Sequence, residues 1–157
     1  MKRADGIVIE VAGAADVPAI AALLRDAGLP YEDFAAHVVK FLVARDASGA
    51  VAGAVGAEVA AGGGEAALLR SLVVAPHMRG AGLGGRLVDE LERRGAAWRV
   101  RRWWLLTTTA EAFFTARGFR VAQRCSAPEA IRATGQFSGG CGSSAVCMTR
   151  ESAEGAK

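Results

Sequence analysis

The chain has 157 residues, 52% of them apolar and 22% charged, and a net charge of +3. That length suits one well-buried core and is too short for two ordinary domains, so residues 1–150 are expected to form a single domain followed by a polar tail, 151–157. No run reaches the roughly 18 uncharged apolar residues of a membrane helix, and the basic start meets Asp5 and Glu10 without an apolar stretch of the secretory kind, so a cytoplasmic protein with no membrane partner is expected.

Ile7 to Val11 is a β-branched run suited to a strand, and Asp16 is placed to cap a helix carrying Val17, Ile20, Leu23 and Leu24 on one face. Gly28-Leu29-Pro30 ends that helix, and a second short one is expected from Tyr31 to Val39, with Phe34 and Val38 four apart. Phe41 to Arg45 and Val51 to Val59 read as antiparallel strands joined through Asp46 to Gly49. After Gly62-Gly63-Gly64, Leu68 to Ala75 is a third long strand, stopped by Pro76, which cannot extend a ladder.

From Gly82 to Trp98, Leu83, Leu87, Val88 and Leu91 recur at helical spacing, while Asp89 with Arg93 and Glu90 with Arg94 stand four apart on the other face. Trp103 to Thr109 reads as a strand, and Ala110 to Arg117 as a short helix stopped by Gly118. Phe119 to Gln123 is a strand, Pro128 to Thr134 a helix with proline in its first turn, and Ala145 to Thr149 a last strand. From Glu151 onward the polar residues are expected to fray.

Cys125, Cys141 and Cys147 make an odd count with no CxxC pair, which points to reduced thiols rather than a disulfide framework. His37 and His77 lie too far upstream of them to complete a zinc pattern, so no metal is expected. Arg93, Arg94, Arg99, Arg101 and Arg102 interleave with Trp98, Trp103 and Trp104, a composition also seen at nucleic-acid surfaces. Glu90 and Glu92 neighbour those arginines and the tryptophans border an apolar strand, so we read a solvated helix face beside a core strand, and no nucleic-acid partner.

The segment from Leu72 to Gly84 carries the chemistry: a buried strand, a turn, then Arg79-Gly80-Ala81-Gly82-Leu83-Gly84 opening a helix. Glycines let a backbone approach a ligand closely, and the first N–H groups of a helix lack internal partners and sit at the positive end of its dipole. This combination is an anion site, with a diphosphate as its natural guest and Arg79 adding charge. Gly80, Gly82 and Gly85 also satisfy GxGxxG, but the acidic residue that a dinucleotide site needs about 20 positions on is missing, the next strand ending in Thr107-Thr108-Thr109. Gly84-Gly85-Arg86 offers no Gly-Lys-Ser/Thr, which excludes a P-loop.

At these residues the sequence resembles the GNAT N-acetyltransferases, whose signature is Arg/Gln-x-x-Gly-x-Gly/Ala after a strand. Ser71 to Pro76 before the loop, and Ala112 to Phe119 with Gly118-Phe119 after it, resemble the same family. The resemblance implies an α/β (α+β) fold with a mixed, mostly antiparallel central sheet flanked by helices, and acetyl-CoA as cosubstrate at splayed strands. It implies that Leu72, Val73 and Val74 offer backbone groups to the pantetheine and the thioester oxygen, that Arg79, Gly80, Ala81, Gly82, Leu83 and Gly84 hold the pyrophosphate, and that the thioester lies between strands ending near Ala75 and Thr109. Homodimers are common in that family.

A narrower resemblance spans most of the chain. Leu68 to Leu72, Leu105 to Phe114, Ala127 to Thr134, Cys141 and Ser144 to Met148 are similar to the GNAT subfamily of bacterial arsenic-resistance operons. It implies an association with arsenic detoxification, where related enzymes acetylate the amine of amino-acid antibiotics bearing a phosphinate or arsinate.

Acetyl transfer needs a neutral amine, a route for its proton and donors to the thioester oxygen. Many GNAT enzymes carry a glutamate base on the strand before the loop and a tyrosine acid before Gly-Phe; here those places hold Arg70 and Phe114. Strand alternation would put Arg70, Leu72 and Val74 on one face, aiming Arg70 at a substrate carboxylate, phosphinate or arsinate. The alternative is an ion pair with Glu58 or Glu65. Glu58, inside an apolar strand, is paired or functional and is the first candidate base; Glu111 is the second. Thr108 and Thr109 are candidates for contacts to the pantetheine and the substrate, Tyr31 for the acceptor side, and Cys141 for an acid near the acyl site, each against a purely structural role. The expected partner is a small amine, anionic and amino-acid-like. The competing expectation is a catalytically degenerate protein that binds acyl-CoA, or binds arsenicals through its cysteines.

Overall fold

The computed structural model describes residues 6–29, 31, 39–60, 65–140 and 144–152. Among these residues, seven strands form one mixed sheet in the order β1-β2-β3-β4-β5-β7-β6: β1 is Val8–Val11, β2 Lys40–Arg45, β3 Val51–Val59, β4 Ala66–Val74, β5 Arg102–Thr107, β6 Arg120–Val121 and β7 Val146–Glu151. The helices are α1 Val17–Asp26, α2 Leu83–Gly95, α3 Glu111–Ala116 and α4 Glu129–Arg132. β1 with β2, β2 with β3, β5 with β7 and β6 with β7 pair antiparallel, and β4 with β5 parallel. The chain divides into two compact units, Met1–Ala57 with Ser71–Arg93 and Glu58–Arg70 with Arg94–Lys157.

In the first unit, β2 pairs with β1 from Val11↔Leu42 to Val8↔Arg45 and with β3 from Lys40↔Ala57 onward. Phe41 and Val43, two apart on β2, therefore share a face, and they bury Ile20 and Leu24 of α1 together with Ala54 and Val73. Gly56 makes room for this packing, since a Cβ there would lie 2.9 Å from the Phe41 ring. Asp16 stands at the cap position of α1 but in helical conformation and without a capping bond. Its carboxylate instead accepts from the Gly13 N–H at 2.8 Å and from both Arg45 terminal nitrogens, a long-range partner that outcompetes the local cap expected of it. The helix expected from Tyr31 to Val39 lies, apart from those two residues, outside the described ones.

In the second unit, Ala66, Leu68, Trp104, Leu106, Ala127, Ile131, Ala145 and Cys147 form the core, with Ala60 and Phe137 packed on it. Trp103 faces the other way and lies against Gly95, where a Cβ would come within 2.6 Å of its ring. Both tryptophans are buried, so neither is available for base stacking. Arg93 Nη2 pairs with Glu90, three residues before it on α2. β5 ends at Thr107, earlier than expected, because the Thr107 hydroxyl accepts the Ala110 N–H at 2.9 Å and turns the chain into α3. β7 runs on through Glu151, and Ser152 is buried with its N–H donating to the Arg101 carbonyl at 2.8 Å. Fraying from Glu151 is thus corrected: a backbone partner holds the last two described residues despite their polarity.

Candidate active site

The loop is built on the end of β4. The Ala75 N–H donates to the Ala52 carbonyl, Pro76–Met78 form one 3-10 turn, and Met78 and Arg79 N–H groups return to Ala75 and Pro76. Gly80 and Gly82 then take φ of +87° and +82°, a region L side chains rarely occupy, and a Cβ at either would meet nothing within 4 Å. The first bond of α2 runs from the Arg86 N–H to the Gly82 carbonyl, so the N–H groups of Leu83, Gly84 and Gly85 precede any intrahelical partner. Buried Leu83 and Leu87 lie against Gly53 of β3 and anchor this helix end. The result is an exposed, glycine-lined helix start of α2, at the positive end of its dipole. Arg79 is exposed and its Nε donates to the Val74 carbonyl at 3.0 Å, tying the loop back onto β4.

Immediately before this, the strand departs from regular alternation. Ser71 has φ of +62° in mid-strand, and Ser71 and Leu72 are both half-buried in succession. A left-handed non-glycine residue costs about 1–2 kcal/mol and persists only where its surroundings enforce it. Arg70, Leu72 and Val74 therefore do not follow one another on a face as simple alternation predicts.

Upstream of Ser71, alternation holds. Ala66 and Leu68 face the same cluster, Arg70 continues their row, and on β3 Glu58 precedes Ala60 of that cluster. Arg70 Nη1 donates to Glu58 Oε2 at 2.5 Å, with side-chain exposures of 1% and 16%. The ion pair forms with Glu58 because both carriers lie on one face of adjacent strands; Glu65 instead meets Arg101 at 3.7 Å at the surface. Glu58 is the outer member of the pair and Arg70 the buried one.

The other candidates are spread out. Glu111 is exposed in the first turn of α3, and Thr108 and Thr109 are exposed in the bend after β5. Tyr31 packs on the cluster of Ile20, Leu24 and Phe41. Cys141 lies outside the described residues; Cys125 is exposed and Cys147 buried, its thiol pushed up by that burial. Among the described residues no three His, Cys, Asp or Glu side chains are grouped to hold a metal ion. Two features escape the sequence reading: left-handed Ser71, for which no residue type gives warning, and Trp104, which reads simply as core.

Residues 37–121, more than half of the 157, match the family model of the acetyltransferase (GNAT) domain. The chain belongs to the GNAT acetyltransferase family. Among solved structures, the fold matches N-acetylglutamate synthase from Neisseria gonorrhoeae, complexed with coenzyme A and N-acetyl-glutamate, at a TM-score of 0.77 and 22% identity over 93% of this chain and 35% of that one. This GNAT chain thus spans about a third of the length of that protein. A GNAT acetyltransferase from Staphylococcus aureus Mu50 matches at TM-score 0.74 and 14% identity over 92% and 98% of the two chains. A GNAT phosphinothricin acetyltransferase from Sinorhizobium meliloti, in complex with AcCoA, matches at 0.67 and 20% over 96% and 91%. No curated protein matches the sequence. The open glycines and the helix start of this GNAT domain fit a diphosphate of the acetyl-CoA kind.

Proposed function

We propose that this GNAT chain transfers the acetyl group of acetyl-CoA to the amine of a small, amino-acid-like substrate bearing an anionic group. The observation that carries the acceptor side is the Glu58–Arg70 pair between β3 and β4, the strand leading into the glycine loop, an ionic pair on two strands with no other charged residue. Such a pair is weak evidence for stability; it suits a substrate that carries both an ammonium and an oxyanion. N-acetyl-glutamate in the gonococcal structure and phosphinothricin as the substrate of the Sinorhizobium enzyme agree with this class of acceptor.

In this reading the N–H groups at the start of α2 and the loop Arg79 to Gly84 hold the pyrophosphate, and the backbone of Leu72 to Val74 lies along the pantetheine and donates to the thioester oxygen. Glu58, fixed in orientation by Arg70, accepts the amine proton directly or through a water. Glu111 is the reserve base; Thr108, Thr109 and Tyr31 contact cosubstrate or acceptor; Cys141 is the reserve acid. The chain acts in the cytoplasm as one domain, and an arsinate among its acceptors rests on the sequence resemblance to the arsenic-resistance subfamily.

The test is loss of acetyl-CoA thioester absorbance with glutamate, aspartate, phosphinothricin, arsinothricin and polyamines. Turnover confined to the anionic amino acids supports the proposal. Binding of acetyl-CoA without turnover of any amine replaces it with the acyl-CoA- or arsenical-binding reading.

A further inference from the structure

Trp104 is 5% exposed, and its indole Nε1 has no hydrogen-bond acceptor among the described residues. An indole N–H is a donor only, and one buried without a partner carries a cost that an incoming acceptor would relieve. Its place in the fold gives that acceptor a source. β4 and β5 pair at three rungs alone, Ala66↔Arg102, Ala67↔Trp103 and Leu68↔Trp104, although both strands continue. Trp104 thus stands on the last rung before the two strands stop pairing.

It also stands on the charged face. Trp104 packs in one cluster with Leu68 and Ala66, and Arg70 is next on that face, about 7 Å further along the strand at the usual rise per residue. Glu58 reaches the same face through its bond to Arg70. We infer that the Trp104 indole N–H is a specificity-determining donor that binds an oxygen of the acceptor's oxyanion, a carboxylate, phosphinate or arsinate. The guanidinium on the same face favours a negatively charged acceptor atom over a neutral one. This rests on the acetyltransferase reading and adds to it the group that reads the anion.

Trp103 provides an internal control. Its Nε1 also lacks an acceptor among the described residues, but it lies on the opposite face against Gly95.

The experiment uses the 15N-labelled full chain, with the three indole N–H resonances assigned through Trp98→Phe, Trp103→Phe and Trp104→Phe. Coenzyme A is added first, then whichever amino acid of the panel is turned over. The Trp104 resonance is expected to move downfield with the amino acid and not with coenzyme A, while that of Trp103 stays. In parallel, Trp104→Phe, which keeps the ring and loses the donor, should raise KM for that amino acid about tenfold to a hundredfold. Its KM for acetyl-CoA should be unchanged. Turnover by the wild type with an unmoved Trp104 resonance, or a shift produced by coenzyme A alone, overturns the inference and leaves the acetyltransferase reading intact. Turnover of no amine at all overturns that reading, and the inference with it.

Discussion

Asp16 and Arg45 meet face to face, Nη1 to Oδ1 at 3.0 Å and Nη2 to Oδ2 at 2.8 Å, joining the turn before α1 to the end of β2. Glu10 adds a second carboxylate on Arg45 Nε. The Arg45 hydrogen bonds, and after them the Gly13 N–H, hold the Asp16 carboxyl below its ordinary 3.8, so the folded state binds this proton less readily than the unfolded one. The stability that follows is present above about 3.8 and is lost as pH falls through the lower folded value. Asp16→Asn should cost about 1–3 kcal/mol near neutrality and flatten the acid limb of a urea-midpoint-against-pH curve. An unchanged limb would show that another carboxylate sets it.

At Gly82 the backbone has φ +82° and open space beyond the Cα. Gly82→Val should leave a folded protein, at a cost of about 1–2 kcal/mol for the left-handed backbone. It should weaken acetyl-CoA binding by more than about tenfold, because the side chain occupies the approach a phosphate needs. Calorimetry on the folded variant measures this; wild-type affinity would remove the loop from the account.

Glu58 and Arg70 separate structure from catalysis by two substitutions. Glu58→Ala leaves a buried guanidinium without this carboxylate and should cost about 3–5 kcal/mol. Glu58→Gln keeps an acceptor oxygen for Arg70 and should be milder, yet lower kcat by about 100-fold or more while KM for acetyl-CoA holds. Equal kcat in wild type and Glu58→Gln would transfer the proton route to Glu111 or to solvent.

Trp103 lies over Gly95 so closely that a Cβ there would be 2.6 Å from Cζ2. The Gly95 backbone is right-handed, so alanine is acceptable to the helix and contributes about 1 kcal/mol in its favour. The clash with a buried indole outweighs it, at about 1–3 kcal/mol. Gly95→Ala should therefore lower the denaturant midpoint, whereas a raised midpoint would mean that the Trp103 ring gives way freely.

Periodicity exposed most of the fold because the long elements carry it themselves: Leu83, Leu87, Val88 and Leu91 announce α2, and apolar runs bounded by glycine and proline announce β3 and β4. The loop was legible for the same reason, since Gly80 and Gly82 do in the structure what glycine alone does well. What stayed hidden depends on partners distant in sequence. Asp16 reads as a local cap because nothing nearby reveals Arg45, 29 residues away. The break in alternation at Ser71 comes from tertiary constraint on an ordinary residue, and it shifts the register of every expectation drawn across it. The early end of β5 at Thr107 turns on one hydroxyl accepting an N–H three residues on. Glu58 could be marked as paired or functional from its apolar strand alone, and Arg70 as a partner for Glu58 or Glu65; which glutamate it takes required the strands to be aligned.

The most direct measurement is the rate of acetyl-CoA thioester loss at fixed enzyme with anionic amino acids against polyamines of equal concentration. Turnover with the amino acids is expected, abolished by Gly82→Val through cosubstrate binding and reduced by Glu58→Gln through kcat. Absence of turnover with every amine, in protein that binds acetyl-CoA, would contradict it.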